Sequence, residues 1–118
     1  MPAQQDHIHK ADRNSGLAIS MTLDSPAKID WALVILFYSA MHYVEAYLAG
    51  LGQHLRSHTT RDAYIGREAQ LRTIYVEYSD LKYYAYNARY EMAEFAQSDV
   101  AAAVASLATV KSHISSIL

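Results

Sequence analysis

The sequence predicts an all-α protein, an up-and-down bundle of four to five helices that forms one domain over residues 1–118. Apolar residues recur at helical spacing over long segments, and no segment of strand length alternates polar and apolar residues. The two prolines, Pro2 and Pro26, leave everything after residue 26 uninterrupted. Most connections are short, which favours antiparallel neighbours.

Composition excludes several classes of function. The chain has no cysteine, so a disulfide framework, a thiolate zinc site and a cysteine nucleophile are impossible. A net charge of −2 gives the whole chain no general attraction for nucleic acid. The polar first 21 residues do not resemble a signal peptide, and the longest uninterrupted apolar run, residues 31–38, is far below the roughly 20 residues that span a membrane. We therefore expect a cytoplasmic protein that contacts no membrane.

The first predicted helix covers residues 6–23 and is weakly amphipathic. Gly16 lowers its helical propensity. Its apolar and small residues can share one face, which we expect to pack on the rest of the bundle: Ile8, Ala11, Ser15, Ala18, Ile19 and Thr22.

The second predicted helix covers residues 26–51 and is the most apolar segment of the chain. Ser25 is a favourable N-cap, and Pro26 suits the first helical position because its missing N–H costs nothing there. Gly52 can take the left-handed conformation that closes a helix. Apolar side chains point in nearly every direction around this helix. Such a helix needs either a central position in the bundle or a partner chain to cover it.

Three further helices follow a loop at residues 53–60. Thr59 with Asp62 has the spacing of a capping box and predicts a short helix over residues 60–66. Helical spacing of apolar residues predicts a long helix over residues 68–94. Ser98 is a favourable N-cap for the last helix.

His42 is the first candidate functional residue. It lies in the middle of the apolar second helix, with Tyr38 one turn before it and Glu45 one turn after it. A Tyr–His–Glu stripe can orient an imidazole as a general base. It can equally be a buried histidine that a carboxylate satisfies, and the sequence leaves both interpretations open.

A second candidate is the locally basic segment at residues 54–72. Two histidines, His54 and His58, lie in it, and its acidic residues are Asp62 and Glu68. A guanidinium near a helix N-terminus would suit a bound phosphate, although a solvated loop explains the same pattern. The segment holds four of the six arginines: Arg56, Arg61, Arg67 and Arg72.

Arg89 and Tyr90 form a third candidate near the end of the long predicted helix, where helix-dipole attraction alone also favours a cation. The ten tyrosines of the chain suggest either polar contacts at the edge of the core or an interface. The histidine pairs at residues 7 and 9 and at residues 54 and 58 lack a recognisable third ligand. We therefore expect no metal site and no cofactor.

Three ordered blocks carry a family resemblance that covers residues 8–118. DWALVILFYSAMHYVEAYLAG, HLRSHTTRDAYI and LRTIYVEYSDLKYYAYNARYE together resemble small prokaryotic proteins of the HEPN superfamily. The resemblance implies a helical bundle that often dimerises. Many HEPN proteins are metal-independent ribonucleases, toxins or partners of nucleotidyltransferases. Their catalytic motif is an arginine followed, after four to six residues, by a histidine, and no arginine of this chain has a histidine at that spacing.

The resemblance therefore implies the scaffold and not the ribonuclease activity. We expect a homodimer that can bind RNA or a nucleotide phosphate. One alternative is a ribonuclease or toxin-type enzyme that uses His42 or His58 with Arg61 and Arg89. Another is an antitoxin, or the partner subunit of a nucleotidyltransferase module, whose protein partner an adjacent gene encodes. The residues expected to bind the phosphate are Arg56, Arg61, Arg89, Tyr38, Glu45 and Tyr90.

Overall fold

A computed structural model describes residues 2–118, and over that range the regular secondary structure is entirely helical. The described residues form a helical bundle, as the sequence predicts. In chain order the helices are α1 (Gln4–Ser20), α2 (Pro26–Gly50), α3 (His58–Arg67), α4 (Ala69–Arg72), α5 (Tyr75–Tyr90) and α6 (Gln97–Ile117).

Helix α2 lies at the centre of the bundle, where α1, α5 and α6 all pack against it. Its side chains are buried or half-buried almost throughout. One copy of the chain therefore provides the central position that an all-round apolar helix needs, and the helix needs no partner chain to cover it. The exposed residues of α2 lie at its two ends: Pro26, Ala27, Lys28, Trp31 and Gly50.

Helix α1 runs antiparallel to α2 and is joined to it by polar contacts inside the packed face. The Ser39 hydroxyl is buried and donates to the Ala11 carbonyl oxygen at 2.7 Å. Nearer the start of α1, the Gln4 side chain donates to the Ala46 carbonyl oxygen at 3.2 Å. These bonds satisfy polar groups that burial would otherwise leave unpaired.

Several predicted helix boundaries are wrong by a few residues. The first helix covers Gln4–Ser20, not residues 6–23. The short helix begins earlier than predicted because Ser57, not Thr59, is its N-cap and accepts from the Thr60 N–H at 3.1 Å. The last helix is capped at Ala96 rather than Ser98, because the Asp99 carboxylate accepts from the Ala96 N–H at 2.7 Å.

The larger error is the single long helix predicted over residues 68–94, because the structure has two separate helices there, α4 and α5. Ile74 leaves the helical region, with φ −109° and ψ 16°, and interrupts the helix. Leu71, just before the break, and Ile74, at the break, are both completely buried. The break allows both side chains to reach the core. The helix also stops at Tyr90, where Glu91 is extended, so the described chain has six helices and not four to five.

Two helices, α2 and α6, are long and apolar enough to cross a membrane by length and composition. In α2 the most apolar window is 72% buried within the bundle, whereas in α6 the figure is 28%. The core helix of a soluble protein meets the same criterion, so these values do not assign a location.

Leu36 tests the central position of α2. It is completely buried, so Leu36→Ala should lower the free energy of unfolding by about 2–5 kcal/mol through lost apolar contacts and a cavity. Leu17→Ala on α1 is the matched control, because Leu17 is 54% exposed and should change stability by about 0.5 kcal/mol or less. Denaturant unfolding followed by circular dichroism measures both. Equal losses would contradict the placement of α2.

Candidate functional site

A groove of about 300 Å³ opens between α2 and α5, and we call it the α2–α5 groove. It combines aromatic side chains with groups that can carry positive charge, and it is open to solvent along α5. Its lining residues are Val34, Phe37, Tyr38, His58, Lys82, Ala85, Tyr86, Arg89 and Tyr90.

Arg89 is the accessible cation of this groove. Its Nη1 donates to the Tyr38 hydroxyl at 2.5 Å, and its guanidinium carbon lies 4.8 Å from the centre of the Tyr90 ring. Both contacts orient the guanidinium, and its remaining N–H donors face solvent because Arg89 is exposed. Lys82, the second cation, is bonded to the Asp62 carboxylate. Arg89 is therefore the cation better placed to meet an anion.

His58 presents a defined protonation state to the groove. Arg61 Nη1 lies 3.2 Å from His58 Nδ1. A guanidinium can only donate, so Nδ1 accepts and the proton of the neutral ring is on Nε2. Partial burial lowers the pKa of His58, and the Arg61 and Lys82 charges lower it further. Near neutral pH the imidazole is thus uncharged and offers a ligand an Nε2–H donor.

A buried ion pair lies behind His58. Arg61 Nε donates to Glu45 Oε1 at 2.7 Å, and both side chains are less than a tenth exposed. Arg61 Nη2 also donates to the Leu55 carbonyl oxygen at 3.3 Å. These bonds connect α2, the following loop and α3. Because Arg61 also holds His58, the ion pair positions a groove residue without lining the groove itself.

The Tyr78 hydroxyl adds a buried polar group beside this pair. Tyr78 is 2% exposed, and within the described chain its hydroxyl has no hydrogen-bond partner. Burial raises the pKa of Tyr78, while the neighbouring Arg61 charge opposes that rise. The phenol therefore stays neutral and contributes no charge to the site.

His42 faces α1 instead of the groove. Its Nδ1 lies 3.1 Å from His7 Nδ1, and the two rings stack with centroids 5.3 Å apart. Burial is the largest cause that lowers the pKa of both histidines, and the nearby His7 lowers that of His42 further. In this bond one neutral ring donates to the other. His42 therefore forms part of the contact between α1 and α2.

The Tyr38–His42–Glu45 stripe does not form one site. Each of its side chains contacts a different element: Tyr38 contacts α5, His42 contacts α1 and Glu45 contacts α3. At about 100° per residue, His42 points roughly 40° away from Tyr38 and 60° away from Glu45, and this difference in direction turns it towards α1. Tyr38 and Glu45 differ by only about 20° in direction but lie about 10 Å apart along the axis, so they meet different elements at different heights of α2.

The structure separates the remaining predicted residues as well. Arg89, Tyr38, Tyr90 and His58 line the α2–α5 groove. Arg56 is exposed in the loop between α2 and α3 and is not among the groove residues. Within residues 2–118, no group of three or more His, Cys, Asp or Glu side chains has the arrangement of a metal site.

Sequence reasoning assigned no site role to six residues of the α2–α5 groove and of the His7–His42 contact: His7, Val34, Phe37, Lys82, Ala85 and Tyr86. His7 shares the buried face of α1 with Ala11, and that helical spacing was a usable signal. No local pattern singled out the groove residues Phe37, Lys82 and Tyr86, since they meet across two helices.

Removal of one partner tests the buried ion pair. Arg61→Met should lower the free energy of unfolding by about 3–5 kcal/mol, because it leaves the Glu45 carboxylate buried without its counter-ion. The double variant Glu45→Leu/Arg61→Met should recover most of that loss. Lys28→Met, which removes an exposed pair with Asp24, is the control and should leave stability unchanged. A double variant as unstable as the single one would contradict this account.

The histidine pair predicts a pH dependence. Folding lowers the pKa of His7 and His42 below 6.5, so below that pH the unfolded chain binds more protons than the folded chain. The contribution of the histidine pair to stability should therefore be complete above about pH 7, and stability should fall as the pH drops below 6.5. The variant His7→Gln/His42→Gln should flatten this slope in chemical unfolding, whereas His9→Gln, at an exposed position, should keep it. An unchanged slope in the double variant would refute the assignment.

Comparison with known proteins gives no match: no family model fits the chain, and no curated protein or solved structure is significantly similar to it. None of these comparisons identifies a family, so the function is inferred from the geometry of the groove.

Proposed function

We propose that this protein is a HEPN-like helical domain that binds a nucleotide phosphate, in RNA or as a free nucleotide, in the α2–α5 groove. The observation that carries the proposal is the position of Arg89, an exposed guanidinium oriented by Tyr38 and by the Tyr90 ring inside an aromatic cavity. Charge-assisted hydrogen bonds from a guanidinium to phosphate oxygens are among the stronger polar contacts.

Other donors surround the place where the phosphate would sit. His58 offers its Nε2–H without adding a charge, and the Lys82 side chain stays 38% exposed while it contacts Asp62. The groove thus concentrates hydrogen-bond donors on a chain whose net charge is −2. Such local concentration favours one anionic group over unspecific binding along a polyanion.

The aromatic side chains favour a nucleotide over a simple anion. Tyr86 and Tyr90 both line the groove and are 54% and 61% exposed. Exposed rings beside a cation provide surfaces on which nucleobases stack, with a contribution of about 1–3 kcal/mol per base.

The HEPN resemblance supports one further part of the proposal, a homodimer. The absence of cysteine fits a reducing compartment and supports a cytoplasmic location. Because α2 is covered within one chain, the surface available to a second copy lies elsewhere. The outer side of α5 carries three exposed apolar residues, Tyr75, Val76 and Tyr83, which a second copy could cover. An antitoxin or nucleotidyltransferase-partner role would use the same kind of surface with another protein.

A ribonuclease is the second candidate function, because His58 and Arg89 line the same groove. The proton on His58 Nε2 makes this nitrogen a donor, so His58 suits stabilisation of a phosphate or of a leaving group rather than proton abstraction. His42 and Arg61, the other candidates for catalysis, contact His7 and Glu45. We therefore favour binding over cleavage.

Arg89→Ala tests the binding proposal. It should weaken binding of a fluorescently labelled single-stranded RNA about tenfold or more at low salt, because one charge-assisted phosphate contact is lost. The salt dependence of binding, measured by fluorescence anisotropy, should fall by about one charge. Arg13→Ala is the matched control, since it removes the same charge from an exposed position on α1.

Equal weakening by the two variants, or no RNA or nucleotide binding by the natural chain, would refute the proposal. The same samples, analysed on a denaturing gel, test the enzyme. Metal-independent cleavage that Arg89→Ala and His58→Ala both abolish would replace binding with catalysis as the function.

A further inference from the structure

We propose that the groove accepts a single-stranded nucleic acid segment of two consecutive nucleotides and prefers guanine at one of the two positions. This inference rests on the proposed function. It starts from a second cavity of about 300 Å³ that adjoins the first. The two cavities share Val34, Arg89 and Tyr90, and the second is otherwise lined by Ala27, Asp30, Trp31 and Ala88.

Arg89 stands between the two cavities because it lines both of them. A phosphate held there has space for a nucleoside on each side. That arrangement matches a phosphodiester, which carries one nucleoside on each of two oxygens, better than a terminal phosphate, which carries one. Tyr90 also lines both cavities and lies under the Arg89 guanidinium, so it supports the same central position.

Trp31 gives the second cavity its own stacking surface. It is 58% exposed although it belongs to the most buried helix of the bundle. The other large apolar side chains near it on α2 face the core, whereas the indole stays open beside Asp30. A base in the second cavity would stack on Trp31, and a base in the first would stack on Tyr86.

Asp30 determines what the second cavity can hold. Asp30 is half-buried as a residue, and no hydrogen bond or ion pair to its carboxylate occurs within residues 2–118. A negative group there repels a further phosphate, so the second cavity suits a base. Guanine offers a carboxylate two adjacent donors, N1–H and the exocyclic amine, on its Watson–Crick edge. Uracil offers one donor flanked by two carbonyl oxygens, which the carboxylate repels.

The single tryptophan of the chain makes the test direct, because indole fluorescence reports on Trp31 alone. The probes are GMP, UMP and the dinucleoside monophosphates GpG and UpU. We expect GpG to bind about tenfold or more tightly than GMP, to quench Trp31, and to bind more tightly than UpU. Trp31→Ala, measured by calorimetry, should reduce GpG binding to the level of GMP, whereas Leu17→Ala, at an exposed apolar side chain outside both cavities, should not.

Asp30→Asn should remove most of the preference for GpG over UpU, and Asp80→Asn, at an exposed position on α5, should leave it intact. Equal affinities for GMP and GpG with unchanged indole fluorescence, while Arg89→Ala weakens both, would overturn the two-nucleotide site and leave phosphate binding in place. A preference for GpG that survives in Asp30→Asn would overturn the guanine assignment. Failure of all four probes and of RNA to bind would refute the proposed function together with this inference.

Discussion

The apolar surface of α2 continues around the whole helix, and the other helices are arranged to remove it from water. Helices α1, α5 and α6 each pack along a different side of it. Burial of apolar surface is the main favourable contribution to folding, so this requirement has priority over local helix preferences. It explains why residues 68–94 do not form one helix: both Leu71 and Ile74 are fully buried, and the chain breaks between α4 and α5 to allow it.

Polar residues within such a helix need partners, and these partners link the fold to the candidate site. Glu45 is buried on α2, and Arg61 on α3 neutralises it at 2.7 Å. The same guanidinium donates to His58 and so decides which imidazole nitrogen carries the proton. A charge pair inside the bundle thereby sets the hydrogen-bonding character of a residue in the α2–α5 groove. The His7–His42 contact is the comparable link between α1 and α2.

The two cavities lie where the covering of α2 is incomplete. Near its N-terminal end Trp31 remains exposed, and the last turn of α5 places Arg89 and Tyr90 beside it. Accessible aromatic rings and an oriented guanidinium next to a packed core are what recognition of a nucleotide requires: rigid stacking surfaces and a cation that pays little entropy on binding. Since most of the proposed binding residues are carried by α2 and α5, the packing of α5 on α2 governs the shape of the groove.

Local sequence patterns were sufficient for the helical class of this protein and for the start of α2 at Ser25 and Pro26, since helix caps and apolar periodicity act over a few residues. The apolar pattern of α2 left open whether the bundle or a partner chain covers it, and the packing of α1, α5 and α6 decided for the central position. Local patterns also singled out Arg89, Tyr90 and Tyr38, but they could not show that these three residues line one groove. The same patterns grouped Tyr38, His42 and Glu45, which contact three different elements. Only the tertiary structure decided which nitrogen of His58 is free, where the long helix breaks, and that Trp31 and Asp30 adjoin Arg89. The reason is physical: these features depend on side-chain direction around α2 and on contacts between residues far apart in the chain, neither of which local spacing specifies.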